Sequence, residues 1–214
     1  MSNPSDADLT QTGLPLDRKG GKILLVACGA LAREVLEIIK INDWSHIDLT
    51  CLPAILHNSP DRIPSAIEKI VVQHKDVYDE IFVLYADCGT GGELFDLCKK
   101  LGVEMLKGPH CYSFYEGNLE FAKHTDTEIS AFYLTDFLVR QFDSFVWKPL
   151  GLDRYPELRD AYFGNYTKLV YQAQTESADL DEKAEECADR LGLAYERRFT
   201  GYGDLQKSMY NWVN

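Results

Sequence analysis

The chain has 214 residues, with 34 acidic against 22 basic side chains and a formal net charge of −12. A surface this acidic repels nucleic-acid phosphates and anionic lipid, which argues against both as partners. No apolar run approaches the about 18 residues of a membrane span, and a hydrophobic content of 45% is enough to bury a core without disulfides.

The first 21 residues are polar, rich in small side chains and lack the apolar stretch of a secretory signal. They read as a disordered tail on a cytoplasmic protein. In a reducing cytosol, six cysteines suit metal ligation, nucleophilic chemistry or core packing better than disulfides. Residues 22–214 are expected to form a single α/β domain.

Lys22 to Ala27 is a continuous apolar run, as in a strand covered on both faces. It ends at Cys28-Gly29. Leu31, Val35, Ile38 and Ile39 then recur at helical spacing. Ile47 to Leu52 alternates and predicts a second strand, stopped by Pro53 and followed by His57. Pro64 suits the first turn of a helix over Ser65 to Lys75. Glu80 to Tyr85 predicts a third strand, ending at Asp87-Cys88-Gly89-Thr90-Gly91-Gly92. A helix over Glu93 to Lys100 stops at Gly102. Val103 to Leu106 predicts a fourth strand, leading to Gly108-Pro109-His110-Cys111-Tyr112.

Residues 113–165 read as a helical insert, with a long aromatic helix over Ile129 to Val146. Lys168 to Ala173 predicts a fifth strand, Asp181 to Leu191 an acidic amphipathic helix stopped by Gly192, and Ala194 to Phe199 a sixth strand. The alternation predicts a doubly wound, mainly parallel six-stranded sheet, Rossmann-like, with a helical insert.

Each of the first four strands is followed by a metal-competent or nucleophilic side chain: Cys28, His57, Cys88, and then His110 and Cys111. Open parallel sheets bind ligands beyond the carboxyl ends of their strands, so residues far apart in sequence can converge there. Thiolate with imidazole suits zinc, and several thiolates also suit an iron–sulfur cluster. Zinc on Cys28, Cys88 and Cys111 would leave a fourth position for His110, His57, water or substrate. Cys51, Cys98 and Cys187 fall on apolar faces and read as core filler. His46, His74 and His124 sit in polar or helix-end contexts and read as surface groups.

The turn Gly89-Thr90-Gly91-Gly92 opens a helix. Its N–H groups can hold an anionic cofactor or ligand, or simply close a tight strand-to-helix turn. It matches neither a Walker loop nor the dinucleotide fingerprint. A nucleophilic pairing of His110 with Cys111 is weak, because adjacent residues point apart. The aromatic stretches Tyr162 to Thr167 and Gly201-Tyr202-Gly203 can cover a flat ligand or pack the insert on the sheet.

Several blocks recur in one order: Cys28-Gly29, Leu52-Pro53 with His57, Asp87-Cys88-Gly89-Thr90-Gly91, Gly108-Pro109-His110-Cys111-Tyr112, Leu134-Thr135-Asp136-Phe137, Phe163 to Thr167 and Gly201-Tyr202-Gly203. In these the chain, over about residues 22–207, resembles a bacterial and archaeal family of unknown function. Members of that family often lie beside genes for corrinoid-dependent methyltransferases and corrinoid proteins. The resemblance implies a setting in one-carbon metabolism, with a corrinoid protein or methyltransferase as partner and a corrinoid met through that partner. Three functions follow: a zinc–thiolate protein of methyl transfer, an iron–sulfur protein that reduces the corrinoid, or a module that binds a small molecule with the cysteines as lining.

Overall fold

The computed structural model describes residues 4–18, 20–124 and 127–213. The chain divides into two compact units: residues 1–114 with 204–214, and residues 115–203.

The first unit begins with helix α1 (Asp6–Gln11), in the segment expected to be a disordered tail. Ser5 caps it by accepting from the Asp8 N–H at 3.1 Å, and Leu9 is fully buried. Leu14 and Cys51 then exchange two backbone hydrogen bonds of 2.9 Å each. Gly13 permits this approach: its φ is +76°, and a Cβ there would lie 2.0 Å from the Cys51 carbonyl oxygen. The tail reading failed because a short capped helix held by one apolar residue leaves almost no periodicity.

Strands β1 (Ile23–Cys28), β2 (Ile47–Leu52), β3 (Glu80–Leu84) and β4 (Glu104–Met105) form a parallel sheet in the order β2-β1-β3-β4. β1 has a neighbour on each side and is buried along its whole length, which explains its unbroken apolar run. Each large aliphatic side chain buried there contributes about 1.5–3 kcal/mol. Helices α2 (Ala32–Ile41), α3 (Ile63–His74) and α4 (Glu93–Leu101) bury Val35 with Ile38, Ile63 with Ile67 and Val71, and Leu94 with Cys98. α4 stops where expected, at Gly102 in the left-handed conformation. The C-terminal helix Gly203–Val213 buries Leu205 and Met209 and stacks Trp212 on Phe82 at 4.8 Å.

Helix α5 (Cys111–Glu116) spans the unit boundary. The second unit continues with α6 (Asn118–His124). Strands β5 (Ala131–Thr135), β6 (Lys168–Ala173) and β7 (Ala194–Phe199) form a second parallel sheet in the order β5-β6-β7. The single six-stranded sheet is therefore corrected to two sheets carrying, among the described residues, seven strands, and the aromatic helix over 129–146 is corrected as well. Its first part is β5. Thr135 has an extended backbone and caps the short helix α7 (Asp136–Arg140) by accepting from the Leu138 N–H at 3.4 Å. Apolar residues continue across this junction without glycine or proline, so helical spacing masked the strand.

Short helix α8 (Arg159–Phe163) precedes β6. Helix α9 (Ala178–Leu191) starts at the Ser177 cap and ends at Gly192, φ +72°. It lays Ala184, Cys187, Ala188 and Leu191 on a core that includes Leu134, Leu169 and Tyr171. The alternate residues of the same strands carry Tyr133, Lys168, Gln172, Glu196 and Arg198, in a register that aligns Tyr133 with Val170 and Glu196, and Gln172 with Arg198. Among the described residues, no helix is long and apolar enough to cross a membrane.

Candidate functional site: a sulfur and imidazole cluster

The carboxyl ends of the strands of the first sheet open onto a cluster of thiols. Cys28 is the last residue of β1 and caps the short 3-10 turn Gly29–Leu31, its sulfur accepting from the Ala30 N–H at 3.3 Å. His57 lies in the 3-10 turn Ala54–Asn58 that Pro53 starts after β2. Its Nδ1 is 3.6 Å from the Cys28 sulfur and 3.1 Å from the Ala54 carbonyl oxygen. A carbonyl only accepts, so Nδ1 carries the proton of the neutral ring, and Nε2 keeps its lone pair.

Cys88 follows β3 with φ +49°, in the left-handed region that side chains beyond glycine rarely enter. The strain is held by a two-bond ladder to the loop after β4: Asp87 N–H donates to the Gly108 carbonyl (3.1 Å), and Cys88 N–H to that of Pro109 (2.9 Å). The same loop leads into Cys111, the first residue of α5.

Electrostatics tie these groups into one neighbourhood. Burial pushes the Cys28 thiol up to about 12 from 9.0, against the Ala30 N–H. Burial also raises Cys111 well above its ordinary value, reinforced by the charges that Cys88 and Cys28 would carry. Cys111 is partly exposed as a residue, but the protein around its sulfur desolvates it. For His57, burial works against the charged ring, but the hydrogen bond and charge of Cys88 together with the Ala54 carbonyl outweigh it and raise the pKa. These shifts keep the Cys28 and Cys111 thiols protonated at neutral pH.

Cys28, Cys88, Cys111 and His57 thus share one neighbourhood. Among the described residues, however, no three histidine, cysteine, aspartate or glutamate side chains already stand as a metal-ligand group. The neutral Cys28 and Cys111 thiols carry no charge to draw sulfur toward a common point. His110 packs its ring 5.1 Å from that of Tyr112, and burial lowers its pKa.

The glycine-rich turn, read as an anion site or as a tight strand-to-helix turn, has an acceptor within the chain for its N–H groups. The Asp87 carboxylate accepts from Gly92 N–H (2.6 Å), Gly91 N–H (3.2 Å) and the Thr90 hydroxyl (2.9 Å). Burial raises its pKa, but these donors outweigh burial and lower it. The turn over Gly89, Thr90, Gly91 and Gly92 therefore spends its N–H groups on its own aspartate. Cys51 and Cys98 are core filler, as expected, each at most 4% exposed.

Sequence reasoning missed Tyr85, which directly follows β3. It is 1% exposed, and its ring stacks on His57 at 6.1 Å and 12°. Its hydroxyl is buried and has no hydrogen-bond partner, whether oxygen, nitrogen or sulfur, and burial, with the charges that Cys28 and Cys88 would carry, raises its pKa. A signal was present, since Tyr85 sits at the same kind of strand end as the cysteines.

The second unit holds a contrasting cluster. Arg198 donates to Glu116 (2.9 and 3.0 Å), Glu128 (2.9 Å) and Glu196 (2.5 Å), while Lys168 bridges Glu128 (2.9 Å) and Glu196 (2.6 Å). Burial raises the Glu128 pKa, but hydrogen bonds from Arg198, Tyr133 and Lys168 prevail and bring it down to about 2. Nearby, buried Asp136 accepts from the Tyr171 hydroxyl (2.8 Å), the Gln174 N–H (2.9 Å) and both the N–H and hydroxyl of Thr175 (3.1 and 2.6 Å).

Residues 51–209 match the family described as "Protein of unknown function (DUF1638)". The chain belongs to this family. No curated protein matches it. Among solved structures, it is similar to an ornithine carbamoyltransferase from Pyrococcus furiosus, at 11% identity and a TM-score of 0.25, over 84% of this chain and 54% of that one. The chain spans about half the length of that protein. A likeness this slight carries no argument about function.

Proposed function

We propose that the first unit carries a metal–thiolate site, zinc favoured, serving corrinoid-dependent methyl transfer as a methyltransferase or as an accessory that hands on metal or cofactor. Cys28, Cys88 and Cys111 would supply sulfur and His57 nitrogen, with His110 as the alternative nitrogen. The observation that carries this reading is the shared neighbourhood of three thiols and an imidazole beyond the ends of parallel strands.

The donor set fits zinc by its chemistry, since three sulfurs and one nitrogen make a tetrahedral set. His57 fits further. Its Nδ1 proton is held by the Ala54 carbonyl, the orientation that frees the other nitrogen for a metal. Closing the set requires the thiols to turn inward and lose their protons. Bound zinc is a Lewis acid that lowers the pKa of a coordinated thiol or water. The protein's own part is to keep the sulfurs dry, hold the imidazole in one tautomer and join the loops bearing Cys88 and Cys111. The methyl-transfer setting rests on the family resemblance alone. An iron–sulfur cluster is the alternative: such clusters are held by four thiolates, and Cys51, whose pKa responds to Cys28, would have to supply the fourth.

Elemental analysis of anaerobically purified protein tests the reading. The expected result is about one zinc per chain, lost in the Cys28→Ser, Cys88→Ser, Cys111→Ser triple variant. Metal-free wild type that takes up neither zinc nor cobalt(II) would overturn it. Brown protein containing iron would replace it with the cluster reading.

A further inference from the structure

We propose that the N-terminal segment is a strap over the sulfur site, with α1 as a lid whose lifting opens Cys28 and His57 to an incoming ligand. The inference rests on reading those two residues as part of a site, and it holds whichever ion or molecule they receive.

Three observations carry it. First, α1 lies where β1 and β2 end, packed against both short turns that follow them, Gly29–Leu31 and Ala54–Asn58. Cys28 caps the first of these turns and His57 lies in the second. The seating is backbone on backbone: a Cβ on Gly29 would come within 2.3 Å of the Leu9 carbonyl oxygen. Cys28, the residue before that glycine, is 3% exposed. Second, the chain beyond α1 is fastened along β2, the outer strand of its sheet. Beside the Leu14 pairing with Cys51, the Thr50 hydroxyl donates to the Leu14 carbonyl (2.9 Å) and the Gly21 N–H to the Asp48 carboxylate (3.2 Å). These bonds keep the segment attached when α1 lifts. Third, α1 itself is lightly held. Six residues are too few for a helix to persist by itself in water. Its buried residues are Leu9 and Thr10, and Arg33 of α2 ties it down by donating to the Asp6 carboxylate (2.9 Å) and the Pro4 carbonyl (3.0 Å).

The consequence is uneven stability within one unit. Segments with few buried apolar side chains open at lower free energy than the body they rest on. α1 therefore lifts while the sheet stays folded. Cys28 is reached through that opening, whereas Cys98, 2% exposed inside α4, waits for the unit to unfold. A ligand that binds only with α1 lifted shifts the balance toward the lifted state.

Alkylation of the full chain by N-ethylmaleimide tests this, with a chelator present and each cysteine followed by peptide mass spectrometry. In wild type at low urea, the Cys28 rate is expected to be nearly independent of urea, because lifting α1 exposes little surface, while the Cys98 rate climbs steeply. Equal urea dependence would show that Cys28 is reached only by unfolding and would overturn the inference. Leu9→Ala is expected to raise the Cys28 rate at least about 10-fold, and Arg33→Ala, which spares the core, about 3-fold. No rise in either variant would also overturn it. Ile67→Val loosens α3, which stays packed when α1 lifts. It is expected to raise the Cys98 rate about 5-fold and leave Cys28 unchanged; a rise of both in step would tie Cys28 to global unfolding and sink the lid. Because labelling is read without metal, it decides the strap separately from zinc uptake: a chain that binds no zinc would lose the metal reading alone.

Discussion

The two units share one construction, a small parallel sheet backed by helices, and set opposite chemistry beside it. The first gathers sulfur: Cys28, Cys88 and Cys111 in the neighbourhood of His57, with burial holding Cys28 and Cys111 neutral. The second gathers full charges: Arg198 and Lys168 among Glu116, Glu128 and Glu196, each charge answered by another. The first cluster keeps unspent bonding capacity, visible in the Tyr85 hydroxyl, whereas Arg198 is engaged on three sides. A cluster with its hydrogen bonds spent stabilises; one with capacity in reserve is suited to receive something. This contrast is the physical reason for placing the proposed function in the first unit.

The largest expected effect tests the charged cluster. Arg198→Leu would leave three carboxylates crowded together and cost about 3 kcal/mol, the low end for a broken buried pair, read as a fall in the urea midpoint. A loss below about 0.5 kcal/mol would show that the cluster is solvent-screened and erase the contrast. The second test is pH. Cys28 titrates near 12 when folded against 9.0 ordinarily. The folded chain therefore holds more protons than the unfolded one above pH 9, and stability must fall as pH rises there, by up to about 1.4 kcal/mol per unit. Glu128 has the opposite sign. Its pKa is lowered to about 2 from 4.5, so its contribution is present above pH 4.5 and lost as pH falls toward 2. Urea unfolding across pH should show Cys28→Ala flattening only the alkaline limb and Glu128→Gln only the acid limb. The smallest effect belongs to Asp87→Ala. It should cost about 1 kcal/mol, as for other lost caps, while freeing the Gly91 and Gly92 N–H groups. Amide shifts of those glycines on adding phosphate, absent in wild type, would show that the aspartate fills an anion cradle.

How much of this was legible in the sequence depended on what sets each element. β1 announced itself because both of its faces are covered. α4 and α9 did so through an apolar stripe and a terminal glycine, Gly102 and Gly192. β5 did not, since Phe132 and Leu134 run into Phe137 and Leu138 with only the Thr135 cap to mark the change. That one misreading moved a strand into a supposed helix and merged two sheets into one. At the site, strand-end position singled out Cys28, Cys88 and Cys111, and the structure brings them into one neighbourhood. It could not reveal that Asp87 occupies its own turn, which depends on a left-handed backbone at Gly91 and Gly92. Nor could it distinguish Tyr85 from any other strand-end aromatic, because an orphaned hydroxyl is a property of its surroundings.

The ladder between the loops after β3 and β4 has a mechanical consequence. Because the Asp87 and Cys88 amides are tied to Gly108 and Pro109, the loops that bear the sulfurs at 88 and 111 are yoked together. Any parting of those loops should be written in the solvent-exchange rates of two backbone hydrogens, those of residues 87 and 88, which makes them a built-in gauge of whether the yoke holds.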